Sequence, residues 1–168
     1  VFLRSRAGRS GDRASLASNG GAFEMSSRTA RAKLRGMSQP LQGVRLLDLG
    51  QVYASPFGSY LLGLLGAEVI KVEPPGGEWL RRMGSGGLAY ATQNAGKRPI
   101  VVDLKQPGGA DVVLRLAAGC DIFVEGFAPG TAARMGVGFD AVKDRNPSIV
   151  YGSLSAFGDA GPYADRPG

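Results

Sequence analysis

The apolar positions of this chain change rhythm repeatedly from Val44 onward. Val44 to Leu49 is a short apolar run with one acid, Asp48, near its end, as in a strand covered on both faces. Ser55-Pro56 then reads as a helix start, with Ser free to cap backbone N–H groups. Tyr60, Leu61, Leu64 and Leu65 fall on one face of that helix, and Gly66 supplies its left-handed stop. The run Ala67 to Glu73 is a second strand, so the opening predicts a βαβ unit with parallel strands. Pro99 to Leu104 reads as a third buried strand with Pro99 at its permitted first position. Pro107 opens a helix whose Val112, Val113, Leu116 and Ala117 form an apolar side, and Gly119 ends it. Cys120 to Glu125 is a fourth strand. Phe127 to Phe139 is a turn, a short helix that Thr131 could cap, and another turn. A short helix ended by Asn146-Pro147 precedes a fifth strand, Ser148 to Leu154.

The alternation β-α-β-loop-β-α-β-α-α-β predicts an α/β fold: a doubly wound, mostly parallel sheet with helices on both faces. Four loops then belong to one edge of the sheet, the carboxyl edge where such folds bind ligands: Gln51 to Ser55, Pro74 to Gly87, Glu125 to Gly130 and Ser155 to Gly168. Pro74 to Gly87 contains two prolines and five glycines. Its Trp79, Arg81 and Arg82 suit either a surface loop with a packed Trp or a lid that contacts an anion. Glycines on this edge let backbone N–H groups approach a ligand, and Lys105 and Arg134 offer cationic partners for phosphate. Each base alone reads as a solvated surface charge; together they suggest a phosphorylated ligand and no particular reaction.

The first βα turn, Gly50 to Pro56, matches neither G-x-G-x-x-G nor a P-loop, so Glu73 at the end of the second strand is a weak candidate for a ribose contact. The absence of His removes Ser-His-Asp triads, Cys-His dyads and His-ligated zinc, and no metal site is expected. The single Cys120 excludes an internal disulfide framework and reads as a small buried filler.

Among 168 residues the formal net charge is +6, but its source is local. Eight of the 20 Lys and Arg and two of the 14 acids precede Met37, so twelve of each sign remain and the folded part is neutral. Residues 1–38, rich in Arg, Ser, Gly and Ala, are expected to be disordered, with residues 39–168 as the ordered part. The extension reads as a mitochondrial-type transit peptide, a basic arm for nucleic acid, or upstream sequence foreign to the natural protein; the last is preferred, because Met25 and Met37 offer later starts. The corresponding location is cytoplasmic, or mitochondrial if the extension is a transit peptide.

From about Pro40 to Gly168 the chain resembles the family III CoA-transferases of the CaiB/BaiF type, which also include α-methylacyl-CoA racemases. The resemblance is carried by LQGVRLLDLG, the Ala-Ser-Pro of YASPFG, LGAEVIKVEPPGG, GKRPIVVDLKQPGG, CDIFVEGFAPGTAARMGVGF and NPSIVYGSLSAFGDAGPYADRPG. It implies a Rossmann-like, CoA-binding N-terminal part, incomplete here at its C-terminus, a second smaller domain, and an interlocked homodimer. Carried over by motif, Tyr53 and Ala54 border the thioester end of CoA. Val102, Asp103, Leu104 and Lys105 contact its nucleotide end. Gly126, Phe127 and Ala128 line the pantetheine path, Arg134 holds a phosphate, and Ser155, Ala156, Phe157 and Gly158 sit near the acyl site. Pro74 stands where some members have Arg, and Ser155 and Phe157 where some have Lys and Tyr.

The resemblance places the nucleophilic Asp just after Gly168, so no catalytic residue is expected within the chain, and the chain alone is expected to be inactive. That Asp attacks the donor thioester, carries the acyl group as an anhydride, becomes an aspartyl-CoA thioester and yields CoA to the acceptor acid. CoA and acyl-CoA enter as substrates, with no permanently bound cofactor. The other expected partner is a carboxylic acid acceptor, with neither nucleic acid nor membrane. The alternatives are an α-methylacyl-CoA racemase, where a His-Asp pair moves the α-proton, and a CoA-binding module without catalysis. The ending GPYADRPG favours transfer.

Overall fold

The strand β1, Arg45–Asp48, occupies the centre of a five-stranded sheet. The computed structural model describes residues 38–83, 87–164 and 166. The expectation for residues 1–37 therefore lies outside the described residues. On one side of β1 lie β2 (Glu68–Glu73) and then β3 (Arg98–Val101); on the other lie β4 (Ile122–Glu125) and then β5 (Val150–Ser153). Every pairing is parallel, with Leu47 opposite Ile70 in β2 and opposite Phe123 in β4. The helices are α1 (Ala54–Leu64), α2 (Leu88–Asn94), α3 (Gly109–Ala117), α4 (Thr131–Arg134) and α5 (Phe139–Arg145). This is the parallel α/β sheet that the alternation predicts.

Side chains alternate across a strand, and the two faces of this sheet differ in chemistry. Leu47, Leu49, Val72 and Phe123 share one apolar core with Val113 and Ala117 of α3, Val142 of α5, Val137 and Ile149. Val112 and Leu116 pack against that core, so the apolar side of α3 is as expected. Tyr151 stacks on Phe123 at 5.0 Å between ring centroids, and Phe139 meets its edge at 5.7 Å. Cys120 is buried in this core, as expected of a filler.

The opposite face, under α1, carries charge. Asp48 and Lys71 point into it and are fully buried. The helix above them corrects the sequence reading: α1 buries Ser55, Pro56 and Ser59, while Leu61, Leu64 and Leu65 are 45%, 57% and 46% exposed. The reason is the sheet face beneath. Hydroxyls from Ser55 and Ser59 donate to Asp48, at 3.0 and 2.6 Å, so the polar side of the helix turns inward. Ser55 caps no N–H of the helix; its hydroxyl belongs to Asp48.

Three further readings change. The connection from β2 to β3 contains a 3-10 turn, Trp79–Arg81, and the helix α2, where a loop was expected. Residues 88–94 lack an apolar period, and α2 is held through its contacts with α1 and the 3-10 turn. β3 is an edge strand with Val101 62% exposed, so Pro99 sits where a missing N–H costs little. Finally, Gly130 in the left-handed region precedes α4; the Thr131 hydroxyl caps nothing and accepts from Arg134 Nη2 at 2.7 Å.

Candidate functional site

Parallel pairing brings the loops after all the strands to one rim of the sheet. The order β3-β2-β1-β4-β5 changes direction between β1 and β4, and loops leaving such a point part to opposite faces and open a crevice. Among the described residues, two of the clefts on this rim gather most of the expected site residues. One, of about 240 Å³, is lined by Leu49, Gln51, Val72, Glu73, Pro74, Phe127 and Met135 together with Val102, Asp103, Leu104 and Lys105. The other, of about 320 Å³, is lined by Gly126, Phe127, Ala128, Pro129, Leu154, Ser155, Ala156, Phe157, Ala164 and Arg166. Phe127 is common to both.

The first cleft thus gathers Val102 to Lys105, and the second gathers Gly126 to Ala128 with Ser155 to Phe157. Tyr53 and Ala54 line neither, although Gln51 of the same turn lines the first; Tyr53 is 66% exposed. Gly158 lines neither. Arg134 is exposed next to Met135, its guanidinium turned to Thr131. Lys105 is exposed at the cleft wall, and its N–H donates to Asp103 Oδ1 at 3.0 Å, which fixes the loop. The wall depends on Gly109: a Cβ there would stand 2.1 Å from the Asp103 carbonyl oxygen.

A buried ionic network, unforeseen in the sequence, shapes the same rim. Asp48 receives Lys97 Nζ at 3.0 Å and lies 3.8 Å from Lys71 Nζ. Burial alone would raise its pKa; Lys71, Lys97 and the Ser59 hydroxyl overcome this and hold it below the ordinary value. Lys97 also donates to the Pro56 carbonyl and to Asn94 Oδ1, both at 2.8 Å, tying α1 to α2. Its pKa is lowered, because burial outweighs the pull of Asp48. Lys71 lies 3.1 Å from Glu78 Oε2 and donates to the Gly50 carbonyl.

Glu73 is committed within this network. Its carboxylate accepts from Arg81, from the Tyr90 hydroxyl at 2.6 Å and from the Glu78 N–H at 3.0 Å. A ribose would have to displace these partners. Arg81 belongs to this network too and stacks on the Tyr90 ring at 3.8 Å from its centroid, so its guanidinium is engaged within the protein and is not held out to an anion. Trp79 is 51% exposed, so it is not a packed anchor. The signal that could have found the network is the presence of Asp48, Lys71 and Glu73 on strands covered on both faces, where consecutive residues are buried and a charge needs a partner. Among the described residues, no group of three or more His, Cys, Asp or Glu is placed to hold a metal, and no helix is long and apolar enough to cross a membrane.

A parallel α/β sheet with clefts at its carboxyl rim is the architecture of the doubly wound class, in which that rim is the usual place for ligands. The chain belongs to CoA-transferase family III, whose family model matches residues 41–168. It is 42% identical over 136 residues to the succinyl-CoA:glutarate CoA-transferase of Homo sapiens, covering 77% of this chain and 31% of that protein. The crystal structure of Rv3272 from Mycobacterium tuberculosis in its orthorhombic form superposes with a TM-score of 0.72 and 43% identity, covering 77% of this chain and 37% of that one. A CAIB/BAIF family protein from Brucella suis gives a TM-score of 0.74 and 35% identity over 79% of this chain and 37% of its own. The chain spans about a third of the length of these relatives.

Proposed function

We propose that residues 39–168 are the CoA-binding part of an enzyme that moves CoA between an acyl-CoA thioester and a carboxylic acid. The observation that carries the reading is the pair of clefts joined at Phe127 on the carboxyl rim. Together they offer an elongated ligand one wall with a cation, Lys105, and another of glycine and small side chains, Gly126 to Ala128. In this reading Val102 to Lys105 hold the nucleotide end, Gly126 to Ala128 follow the pantetheine, and Arg134 takes a phosphate. Tyr53 and Ala54 border the thioester, and Ser155 to Gly158 lie at the acyl end. The names of the relatives favour transfer over racemisation.

The chemistry follows the aspartyl route that the resemblance implies. A carboxylate attacks the donor carbonyl, the C–S bond breaks, and CoA leaves as thiolate. The thiolate attacks the aspartyl carbonyl of the resulting anhydride and releases the donor acid. The acceptor carboxylate then repeats the exchange in reverse and regenerates the aspartate, with no net redox change. What residues 39–168 contribute is grip: they hold the coenzyme so that binding energy remote from the thioester positions the reacting carbon.

A homodimer is part of the proposal. It is supported by the outward apolar side of α1, where Phe57, Leu61, Leu64 and Leu65 are each at least 45% exposed.

Calorimetric titration of CoA into the chain tests the reading. Saturable binding is expected, weakened about fivefold by Lys105→Ala, the loss of one exposed charge-assisted contact worth about 1 kcal/mol. Absence of binding, or a Lys105→Ala variant that binds as tightly as the parent, would overturn it.

A further inference from the structure

Val52 is the only non-glycine residue with positive φ among the described residues, at +67°. A β-branched residue is strained there and persists only where its surroundings hold it. Its own side chain is 41% exposed, so packing does not supply the hold. The backbone does. Glu78 Oε1 accepts the Val52 N–H at 2.7 Å, Asp48 Oδ1 accepts the Gly50 N–H at 2.8 Å, and Lys71 Nζ donates to the Gly50 carbonyl. All three gripping side chains are at most 1% exposed. Glu78 reaches the turn from a distant loop, and its other oxygen, Oε2, has Lys71 Nζ at 3.1 Å as ionic partner without hydrogen-bond geometry. The Lys71 charge offsets the burial of this carboxylate and leaves Oε1 to the turn. The turn that Glu78 holds sends Gln51 into the first cleft and leads directly to Tyr53 and Ala54.

We infer that Glu78 is a positioning residue: it clamps the Gly50–Tyr53 turn in a strained backbone shape, so that this wall of the cleft is preorganised for the coenzyme. The inference rests on the CoA-binding reading above. A ligand that meets a preordered wall need not offset the cost of ordering it. The role of Glu78 is therefore tied to the strain at Val52, and the two substitutions should not be additive.

The test is CoA titration of the chain with variants at both positions, beside thermal unfolding of each. Glu78→Ala is expected to weaken CoA binding about tenfold, while Glu78→Gln, which keeps an acceptor for the Val52 N–H, stays within about threefold of the parent. In a Val52→Gly background, where positive φ is unstrained, Glu78→Ala should cost no more than about threefold. A folded Glu78→Ala variant that binds like the parent overturns the inference while leaving the reading intact, as does an equal loss in both backgrounds. If the parent chain binds no CoA, reading and inference fall together. Should Glu78→Ala not fold, amide exchange in the parent decides. Protection of the Val52 N–H comparable to strand amides supports the clamp, and exchange at the rate of an open loop overturns it.

Discussion

Arg81 meets Glu73 as a fork, with Nε 2.6 Å from Oε2 and Nη2 2.6 Å from Oε1. The contact fastens the 3-10 turn to the end of β2, and Tyr90 completes it from α2. Burial opposes the ionised form of Glu73, but the hydrogen bonds from Arg81, Tyr90 and the Glu78 N–H prevail and lower its pKa from 4.5 to about 2. A carboxyl that binds its proton more weakly when folded stabilises the fold above its unfolded pKa. That contribution should be intact at neutral pH and fade as pH falls from 4.5 to about 2. Unfolding midpoints measured across this range should therefore drop more steeply for the parent than for Glu73→Gln. Parallel curves would refute the assignment.

The Asp48 carboxylate separates two buried ammonium groups, those of Lys71 and Lys97. Asp48→Asn leaves Lys97 in place without its counter-charge and leaves Lys71 with Glu78 alone. The expected cost is about 3–5 kcal/mol, the range for breaking one side of a buried ion pair. Urea unfolding of the variant would measure it, and a change below about 1 kcal/mol would show that the network is not holding the α1 face together.

Gly109 is required by a close approach and not by an unusual φ. A methyl group at this position would meet the Asp103 carbonyl oxygen at 2.1 Å, and backbone cannot yield as a side-chain tip can. Gly109→Ala is expected to destabilise the chain by about 1–3 kcal/mol. It should also displace the Val102–Lys105 wall. In the same titration, Gly109→Ala should therefore bind CoA more weakly, whereas Gly58→Ala, with nothing within 4 Å of the added group, should not.

Cys120 is 4% exposed, and burial pushes its thiol pKa up. The native thiol should resist a disulfide reagent and react fully once the chain is unfolded in urea. Rapid modification of the folded chain at neutral pH would place Cys120 outside the core.

The fold was legible because its signals are local and repeated. Strands such as Cys120–Glu125 and helices such as α3 announce themselves by period, and the parallel arrangement follows from their alternation. Residues 88–94 lacked any such period, and α2 was missed because only its neighbours make it helical. The candidate site was legible in part. Val102 to Lys105 fall together in one cleft, and Gly126 to Ala128 with Ser155 to Phe157 in another, since their place follows from which strand end each run adjoins. The direction in which Arg134 turns and the exposure of Tyr53 depend on neighbours remote in sequence.

By itself the sequence determined the class of sheet, the loops that share its carboxyl rim and the family, because hydrophobic period and linear motifs are written in consecutive residues. Only tertiary structure decided that Asp48, Lys71, Glu73 and Glu78 are buried together, and that α1 turns its hydroxyls inward and its leucines out. A charge is placed in a protein interior only when its counter-charge arrives from another element, and that meeting exists nowhere along the chain until it folds.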